Sequence, residues 1–98
     1  MSSSITPDSV GTFEVRTAAG TDFILELGAE TGHVTRKPGM THPEGGHEEP
    51  RRLPGDFTRL PLAEKPTVTE GVNAVLKVIV DDLTDRRVTT PVTGIRAL

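Results

Sequence analysis

Apolar and polar side chains alternate along two neighbouring stretches near the start of the chain, residues 11–17 and 22–27. A period of two is typical of β-strands that bury one face. The connection between the stretches contains Gly20, which can take the left-handed backbone conformation that a bulged hairpin turn needs. We therefore predict an antiparallel hairpin. The apolar side chains of its buried face are Phe13, Val15, Phe23, Leu25 and Leu27.

Shorter stretches of the same kind follow. Residues 33–37 predict a third strand, which ends at Pro38 because proline lacks the N–H that a ladder requires. Apolar positions resume within residues 57–62, but Pro61 and Pro66 restrict this piece to a sheet edge or an irregular crossing. The first three strands then form a meander, in which strands that follow one another along the chain are neighbours in the sheet.

The segment 72–83 matches two templates, since its apolar residues recur both at helical spacing and at alternate positions. Valine and isoleucine dominate it, and β-branched side chains lose rotamer freedom in a helix. A strand buried on both faces is therefore favoured over a helix. Residues 81–85 then form a turn, and a last strand returns through residues 88–92 with a bulge at Gly94.

These elements predict an all-β fold, a small, partly open β-barrel or roll of about six strands that curls to hide its edges and its apolar face. Residues 11–98 form this single domain, and residues 1–10 form a flexible N-terminal segment because they hold few apolar anchors. The predicted interior consists of Phe13, Val15, Phe23, Leu25, Leu27, Val34, Phe57, Leu60, Leu62, Leu76, Val78, Val80, Val88, Val92 and Ile95.

A long stretch rich in proline and glycine, residues 38–55, interrupts the strands. A loop of this length in a compact domain is either disordered or functional. We interpret it as a segment that recognises a protein partner together with an exposed strand edge, since edge pairing supplies backbone hydrogen bonds and side chains supply selectivity. Its candidate contact residues are Met40, His42, His47, Arg51 and Arg52.

Composition narrows the functional classes. The chain of 98 residues contains no cysteine, which excludes disulfides, thiolate metal sites and cysteine nucleophiles. Three phenylalanines are its only aromatic residues, so the sequence lacks the stacking platforms of single-stranded nucleic-acid binders. The formal net charge of -3 disfavours binding of nucleic acid by bulk electrostatics.

Two pairs of basic residues leave a nucleic-acid role open as an alternative. Arg36 and Lys37 end one predicted strand, and Arg86 and Arg87 begin another. If folding places them on one barrel rim beside residues 51–52, they form an edge that binds phosphate or nucleic acid. Otherwise they serve solubility and discourage strand pairing between molecules.

The sequence holds no established catalytic or cofactor motif. His42 and His47 lie among prolines and glycines, which exclude the helix that a HExxH zinc site requires. A metal-dependent hydrolase centred on these two histidines is the third alternative. The acidic residues 81–85 lack the glycine and the final glutamate of a calcium-binding loop. We therefore expect a protein that is not an enzyme and that uses no metal or cofactor.

Three short motifs follow one another as Val15-Arg16-Thr17-Ala18-Ala19-Gly20-Thr21-Asp22-Phe23, Val34-Thr35-Arg36 and Thr89-Thr90-Pro91-Val92-Thr93-Gly94-Ile95. In this order the chain resembles small β-rich proteins of actinobacteria and their phages, which have a Thr-Ser-Gly-Ser-like hairpin, a Val-x-Arg strand and a Thr-Ser-Pro-Val-like final strand. It departs from them at Ala18-Ala19 and at Thr90, where serine is frequent. The resemblance implies a β-rich fold and a host range, and it brings no activity or functional residue.

The N-terminal residues lack a basic and apolar leader, and no apolar run reaches the roughly 18 residues of a membrane span. A cytoplasmic protein that makes no membrane contact is therefore expected. The leading hypothesis is a non-enzymatic interaction module that binds a protein through the long loop and an exposed strand edge. A nucleic-acid-binding barrel is the main alternative.

Overall fold

The computed structural model describes residues 4–98, and its regular secondary structure consists of β-strands. Eight strands lie within these residues and are numbered in chain order. Their bounds are β1 Ser4–Ile5, β2 Gly11–Thr17, β3 Asp22–Leu27, β4 Gly32–Lys37, β5 Arg59–Pro61, β6 Val68–Thr69, β7 Asn73–Val80 and β8 Leu83–Ala97. The predicted all-β fold class is confirmed.

Six of the strands form one antiparallel sheet in the order β5-β4-β3-β2-β8-β7, which includes the predicted hairpin of β2 and β3. The two outer strands approach each other. Leu62, just after β5, forms a bridge with Val78 of β7, and the N–H of Ala63 donates to the C=O of Lys77 over 2.8 Å. The sheet thus curls into a nearly closed barrel with one seam, as predicted, and the radius of gyration of 12.4 Å fits one compact domain.

Strand β8 spans 15 residues and pairs with two different neighbours. Residues 83–91 pair with β7, and residues 92–97 pair with β2. A β-bulge interrupts each ladder, one at residues 89–90 and one at Thr93, next to the predicted position at Gly94. Each bulge adds one residue, so the positions that face the interior change from odd to even numbers or back at each bulge, and this happens twice along β8.

The core lies on the inner face of the barrel. Among the described residues its buried side chains are Ile5, Val15, Phe23, Leu25, Leu27, Val34, Leu62, Val68, Ala74, Leu76, Val78 and Val92. Four further residues of the predicted interior pack against this core and are partly buried, namely Phe13, Leu60, Val80 and Ile95. The remaining two, Phe57 and Val88, are 48% and 52% exposed.

The prediction of an interior position is therefore wrong for Phe57 and Val88. Phe57 has a left-handed backbone with a φ of 62° before β5, and the guanidinium carbon of Arg52 lies 4.9 Å from the centre of its ring. Val88 precedes the bulge at residues 89–90. The ladder with β7 places its neighbour Arg87 on the inner face, so Val88 points outward.

Strand β7 confirms the preference for a strand over a helix in the segment 72–83. Its burial alternates, since Ala74 and Val78 are buried whereas Asn73 and Val75 are exposed. The expectation of two buried faces is wrong. Strand β7 lies at the end of the sheet order, and the core covers its inner face alone.

The turn between β7 and β8 is shorter than the predicted turn over residues 81–85. It consists of Asp81 and Asp82, whose φ angles are 51° and 64°, and β8 begins at Leu83. Two consecutive residues with positive φ are typical of a type I′ turn, whose twist matches the right-handed twist of the strands. Aspartate tolerates this conformation less well than glycine does.

The N-terminal segment, predicted to be flexible over residues 1–10, is anchored to the barrel at Ile5, one of its few apolar residues. Ile5 of β1 pairs with Val68 of β6, and the exposed fractions of the two residues are 0% and 1%. Both belong to the core cluster, so the pair of strands packs against the barrel. Residues 1–3 lie outside the described residues.

Truncation of a core side chain should remove a large part of the stability of this small domain. Leu25 is 1% exposed, and Leu25→Ala should lower the free energy of unfolding by roughly 2–5 kcal/mol, the usual cost of a buried leucine. Leu83 is 73% exposed, so Leu83→Ala should change it by less than about 0.5 kcal/mol. Urea denaturation of both variants tests the assignment, and equal effects would contradict it.

Replacement of the turn residues should stabilise the protein. Asp81→Asn together with Asp82→Gly introduces the residues that a type I′ turn favours and removes no side-chain hydrogen bond or ion pair of the described residues. We expect the free energy of unfolding to rise by about 1 kcal/mol, since a non-glycine residue in the left-handed region costs about 1–2 kcal/mol. Thermal unfolding followed by circular dichroism measures the change, and an unchanged or lower midpoint would argue against this turn type.

Candidate binding cleft

An open cleft of about 420 Å³ follows one edge of strand β8. Four consecutive residues of this strand, residues 87–90, line it. Side chains of neighbouring strand residues point to opposite faces, so a cleft that touches a consecutive run lies along the edge of the strand. The other lining residues are Thr17, Ala19, Thr21, Phe23, Arg36, His47, Glu48, Pro50 and Leu53.

The backbone of β8 is unpaired along this edge. Residues 83–88 pair with β7 on one side, while pairing with β2 on the other side begins at Val92. The turn after β2 reaches as far as the bulge, where the N–H of Ala18 donates to the C=O of Pro91 over 2.9 Å. Within residues 4–98 no second strand pairs with residues 83–89, so alternate N–H and C=O groups there face the cleft side.

The long loop, predicted over residues 38–55, extends from residue 38 to residue 58 in the structure. Its first arm, residues 40–44, is held by the turn between β2 and β3. The N–H groups of Met40 and Thr41 donate to the C=O of Gly20 over 2.9 Å and 3.2 Å. The N–H of Glu44 donates to the C=O of Ala18 over 2.6 Å. Backbone contacts therefore hold this arm against the barrel, independently of its side chains.

The second arm is fixed by a buried ion pair. The Nη1 of Arg36 donates to Oδ2 of Asp56 over 2.6 Å, and the two side chains are 11% and 5% exposed. The same Oδ2 accepts the N–H of Leu53 over 2.8 Å, while the N–H of Phe57 donates to the C=O of Arg36. The other carboxylate oxygen, Oδ1 of Asp56, is buried and has no hydrogen-bond partner among the described residues.

Strand β8 supplies a second buried guanidinium to the cleft. The side chain of Arg87 is 10% exposed, and its Nη2 donates to the C=O of Pro54 in the loop over 2.9 Å. Its Nε donates to Oδ2 of Asp85 over 2.9 Å, two residues away on the same strand. Arg87 therefore joins β8 to the second arm of the loop.

The lining of the cleft is amphipathic. Phe23 is 5% exposed and provides a buried apolar wall, while Leu53 and Val88 present partly exposed apolar side chains. Thr17 and Thr21 are buried, and the hydroxyl of Thr17 already donates to the C=O of Thr21 over 2.9 Å. The arrangement can hold an apolar body beside hydrogen-bonding groups.

The five residues predicted to contact a partner do not all lie together. His47 lines the cleft, but Met40 and His42 line a neighbouring one with Glu49. Arg51 is exposed, and Arg52 stacks on the ring of Phe57. Within residues 4–98 no group of three His, Asp or Glu side chains is arranged to hold a metal ion.

Folding brings together two of the four basic residues of the nucleic-acid alternative. Arg36 and Arg87 line the same cleft, although they are 51 positions apart in the chain. Side chains alternate along a strand, so Lys37 and Arg86 lie on the outer face, opposite to Arg36 and Arg87. Arg86 lines a separate cleft together with Lys77. The four residues therefore do not form one continuous basic rim.

An ion pair on the outside of the barrel contrasts with the pair in the loop. Asp22 accepts a hydrogen bond from Nε of Arg16 over 3.3 Å, and this bond and the carboxylate charge raise the pKa of Arg16. The side chain of Arg16 is 49% exposed, so solvent screens the interaction. The buried pair of Arg36 and Asp56 positions the cleft, whereas the outer pair does not touch it.

Sequence reasoning did not select the residues that give the cleft its shape. Thr89 and Thr90 form the bulge, where Oγ1 of Thr90 accepts the N–H of Ala19 over 3.0 Å and Oγ1 of Thr89 accepts the N–H of Ala74. The proline at position 91 was a usable signal, because proline in a strand is confined to edges and bulges. It indicates that β8 changes partner there.

Comparisons with known proteins return no counterpart, since no family model, no curated protein and no solved structure matches the chain. The resemblance to small β-rich proteins of actinobacteria and their phages therefore stays a prediction. No part of residues 4–98 forms a helix with the length and hydropathy that crossing a bilayer requires.

Removal of the contact between loop and turn should release the first arm of the loop. A Cβ atom at Gly20, where φ is +89°, would overlap the C=O oxygen of Thr41. Gly39 has a φ of +73° and open space around it. Gly39→Ala is therefore the control, because it places alanine in a left-handed backbone without an overlap. We expect trypsin to cleave after Arg51 and Arg52 faster in Gly20→Ala than in Gly39→Ala. Equal cleavage rates would show that the contact does not hold the loop.

Proposed function

We propose that this protein is a non-enzymatic interaction module whose cleft, between the long loop and strand β8, holds an extended segment of a protein partner. The observation that supports it is the unpaired backbone edge of residues 83–89 beside the cleft. A peptide that joins such an edge gains main-chain hydrogen bonds, and neighbouring pockets select its side chains.

The chemistry of the cleft favours a peptide over a nucleic acid. Its two arginines, Arg36 and Arg87, have side chains about nine-tenths buried. Binding of a phosphate backbone relies on many positive charges along a surface, and this cleft has two arginines in its lining. Apolar contacts from Phe23, Leu53 and Val88 suit the alternate side chains of an extended peptide instead.

The loop adds selectivity to the edge. Its two arms are hydrogen-bonded to the barrel, and its central residues His47, Glu48 and Pro50 line the cleft together with residues of β8. A segment that enters the cleft is then enclosed between a strand and a loop that is already positioned. Such preorganisation lowers the entropy that binding must overcome.

Selection of short random peptides on the full chain tests the proposal without a known partner. Synthetic copies of the selected peptides should protect backbone amides of residues 83–89 from hydrogen exchange. N-methylation of alternate peptide amides should abolish binding, because it removes the donors of the new ladder. Protection confined to other parts of the chain, or the absence of any selected peptide, would contradict the proposal.

A matched pair of valines provides the control. Val88 and Val75 are cross-strand partners and are 52% and 37% exposed, but Val88 lines the cleft whereas Val75 lines a different one. Val88→Lys should weaken peptide binding about tenfold, and Val75→Lys should change it by less than about twofold. Equal effects of the two substitutions would place the peptide elsewhere.

A further inference from the structure

We propose that the segment held by the cleft presents an acidic side chain, Asp or Glu, to the guanidinium groups of Arg36 and Arg87. This inference rests on the proposed function and adds the chemistry of the partner. It comes from the hydrogen-bond state of the two arginines, the face on which Arg87 lies and the position of Glu48.

Both guanidinium groups keep N–H donors that no acceptor within residues 4–98 uses. Arg36 donates from Nη1 alone, and Arg87 donates from Nε and Nη2. An arginine carries five N–H donors, so Nε and Nη2 of Arg36 and Nη1 of Arg87 are free. Among the described residues, Oδ1 of Asp56 is the one fully buried side-chain polar atom without a hydrogen-bond partner, so the unpaired nitrogens of the two arginines are not fully buried. The spare donors are therefore open to solvent, and the cleft is the opening that both side chains share.

These donors determine what can fill the cleft. Water satisfies them while the cleft is open, and a bound segment displaces that water. A segment without acceptors leaves the donors unpaired, which opposes binding. A carboxylate accepts two parallel N–H bonds from a guanidinium, and such charge-assisted bonds are about twice as strong as neutral ones. An acidic group on the segment therefore restores the hydrogen bonds that closure removes.

Arg87 has the weaker counter-charge of the two arginines. The carboxylate of Asp56 beside Arg36 is 5% exposed, whereas that of Asp85 beside Arg87 is 53% exposed and is screened by solvent. The positive charge of Arg87 is therefore the less compensated one. We expect it to take the larger share of the interaction with a ligand carboxylate.

The register of β8 selects a side chain as the source of this carboxylate. Arg87 lies opposite Leu76 of β7, so its side chain is on the inner face of the hairpin. A strand added at the free edge of β8 has one residue opposite Arg87 with its side chain on that same face. Opposite charges in directly facing positions stabilise a sheet. The segment is thus expected to carry Asp or Glu at one fixed position.

An acidic residue of the loop opposes this ligand. Glu48 is exposed and lines the same cleft as Arg87, while the adjacent Glu49 lines the neighbouring cleft. The negative charge of Glu48 repels an incoming carboxylate and competes with it for the spare donors. Glu48 and Glu49 form a matched pair, since both are exposed loop residues and neither makes a hydrogen bond or ion pair within residues 4–98.

The experiment uses random peptides that are joined to the display protein at their C-terminal ends, so that no free α-carboxylate is present. Selected peptides should share Asp or Glu at one position. In synthetic copies, replacement of that residue by Asn or Gln should weaken binding roughly tenfold or more, and raised salt should weaken the acidic form further. Selected peptides with no common acid would overturn this inference but leave the proposed function standing. Failure to select any peptide would count against both.

Variants of the chain give an independent readout. Glu48→Gln should strengthen binding of the selected acidic peptide about two- to fivefold, and Glu49→Gln should leave it unchanged within about twofold. The amide form of the peptide should bind equally to the parent and to both variants. A common effect of both substitutions on both peptides would overturn the inference. So would binding that depends on a free peptide C-terminus instead of an acidic side chain.

Discussion

The structure depends on one constraint, that strand β8 must serve two ladders in succession. Its first part completes a hairpin with β7 and its last part pairs with β2, with the change of partner at residues 91–92. Pro91 suits this place because its missing N–H is not needed where the ladder is interrupted. Val92, the first residue paired with β2, is 2% exposed and joins the core. The two bulges beside this crossing bend the strand, and the unpaired edge arises because pairing with β2 begins only at Val92.

Hydrogen bonds at both arms explain how the long loop is held against the barrel. Ordering a loop of about twenty residues costs conformational entropy. The turn between β2 and β3 presents the C=O groups of Ala18 and Gly20, and the first arm of the loop donates hydrogen bonds to both. Its second arm compensates the charge of Arg36, which the curled sheet places about nine-tenths out of solvent. A buried pair of this kind adds little net stability, but the loss of either partner is costly, so it fixes position.

Alternation predicts much of the fold. It identifies the β2–β3 hairpin and strand β4, because each buries alternate side chains against one core. Strand β7 needed the β-branched content of its segment as well, since its apolar positions also match a helix. Alternation fails for Val88, since a bulge changes the parity of the inner face and no single period describes a strand with two bulges. It also cannot pair Ile5 with Val68, because two-residue strands contain no period and their contact is established by tertiary packing. Phe57 fails for a local reason, a left-handed backbone that turns its ring outward.

The sequence predicts which arginines could line the cleft, but it does not predict that they meet. Charge identifies Arg36 and Arg87 as candidates, and strand periodicity separates them from Lys37 and Arg86 once the inner face is known. Their convergence depends on the curvature of the sheet, which the bulges impose and which composition does not encode. An arginine on an inner face is costly unless acceptors surround it. Two such residues lie beside an unpaired strand edge, and the loop acceptors at Pro54 and Asp56 take only some of their N–H donors.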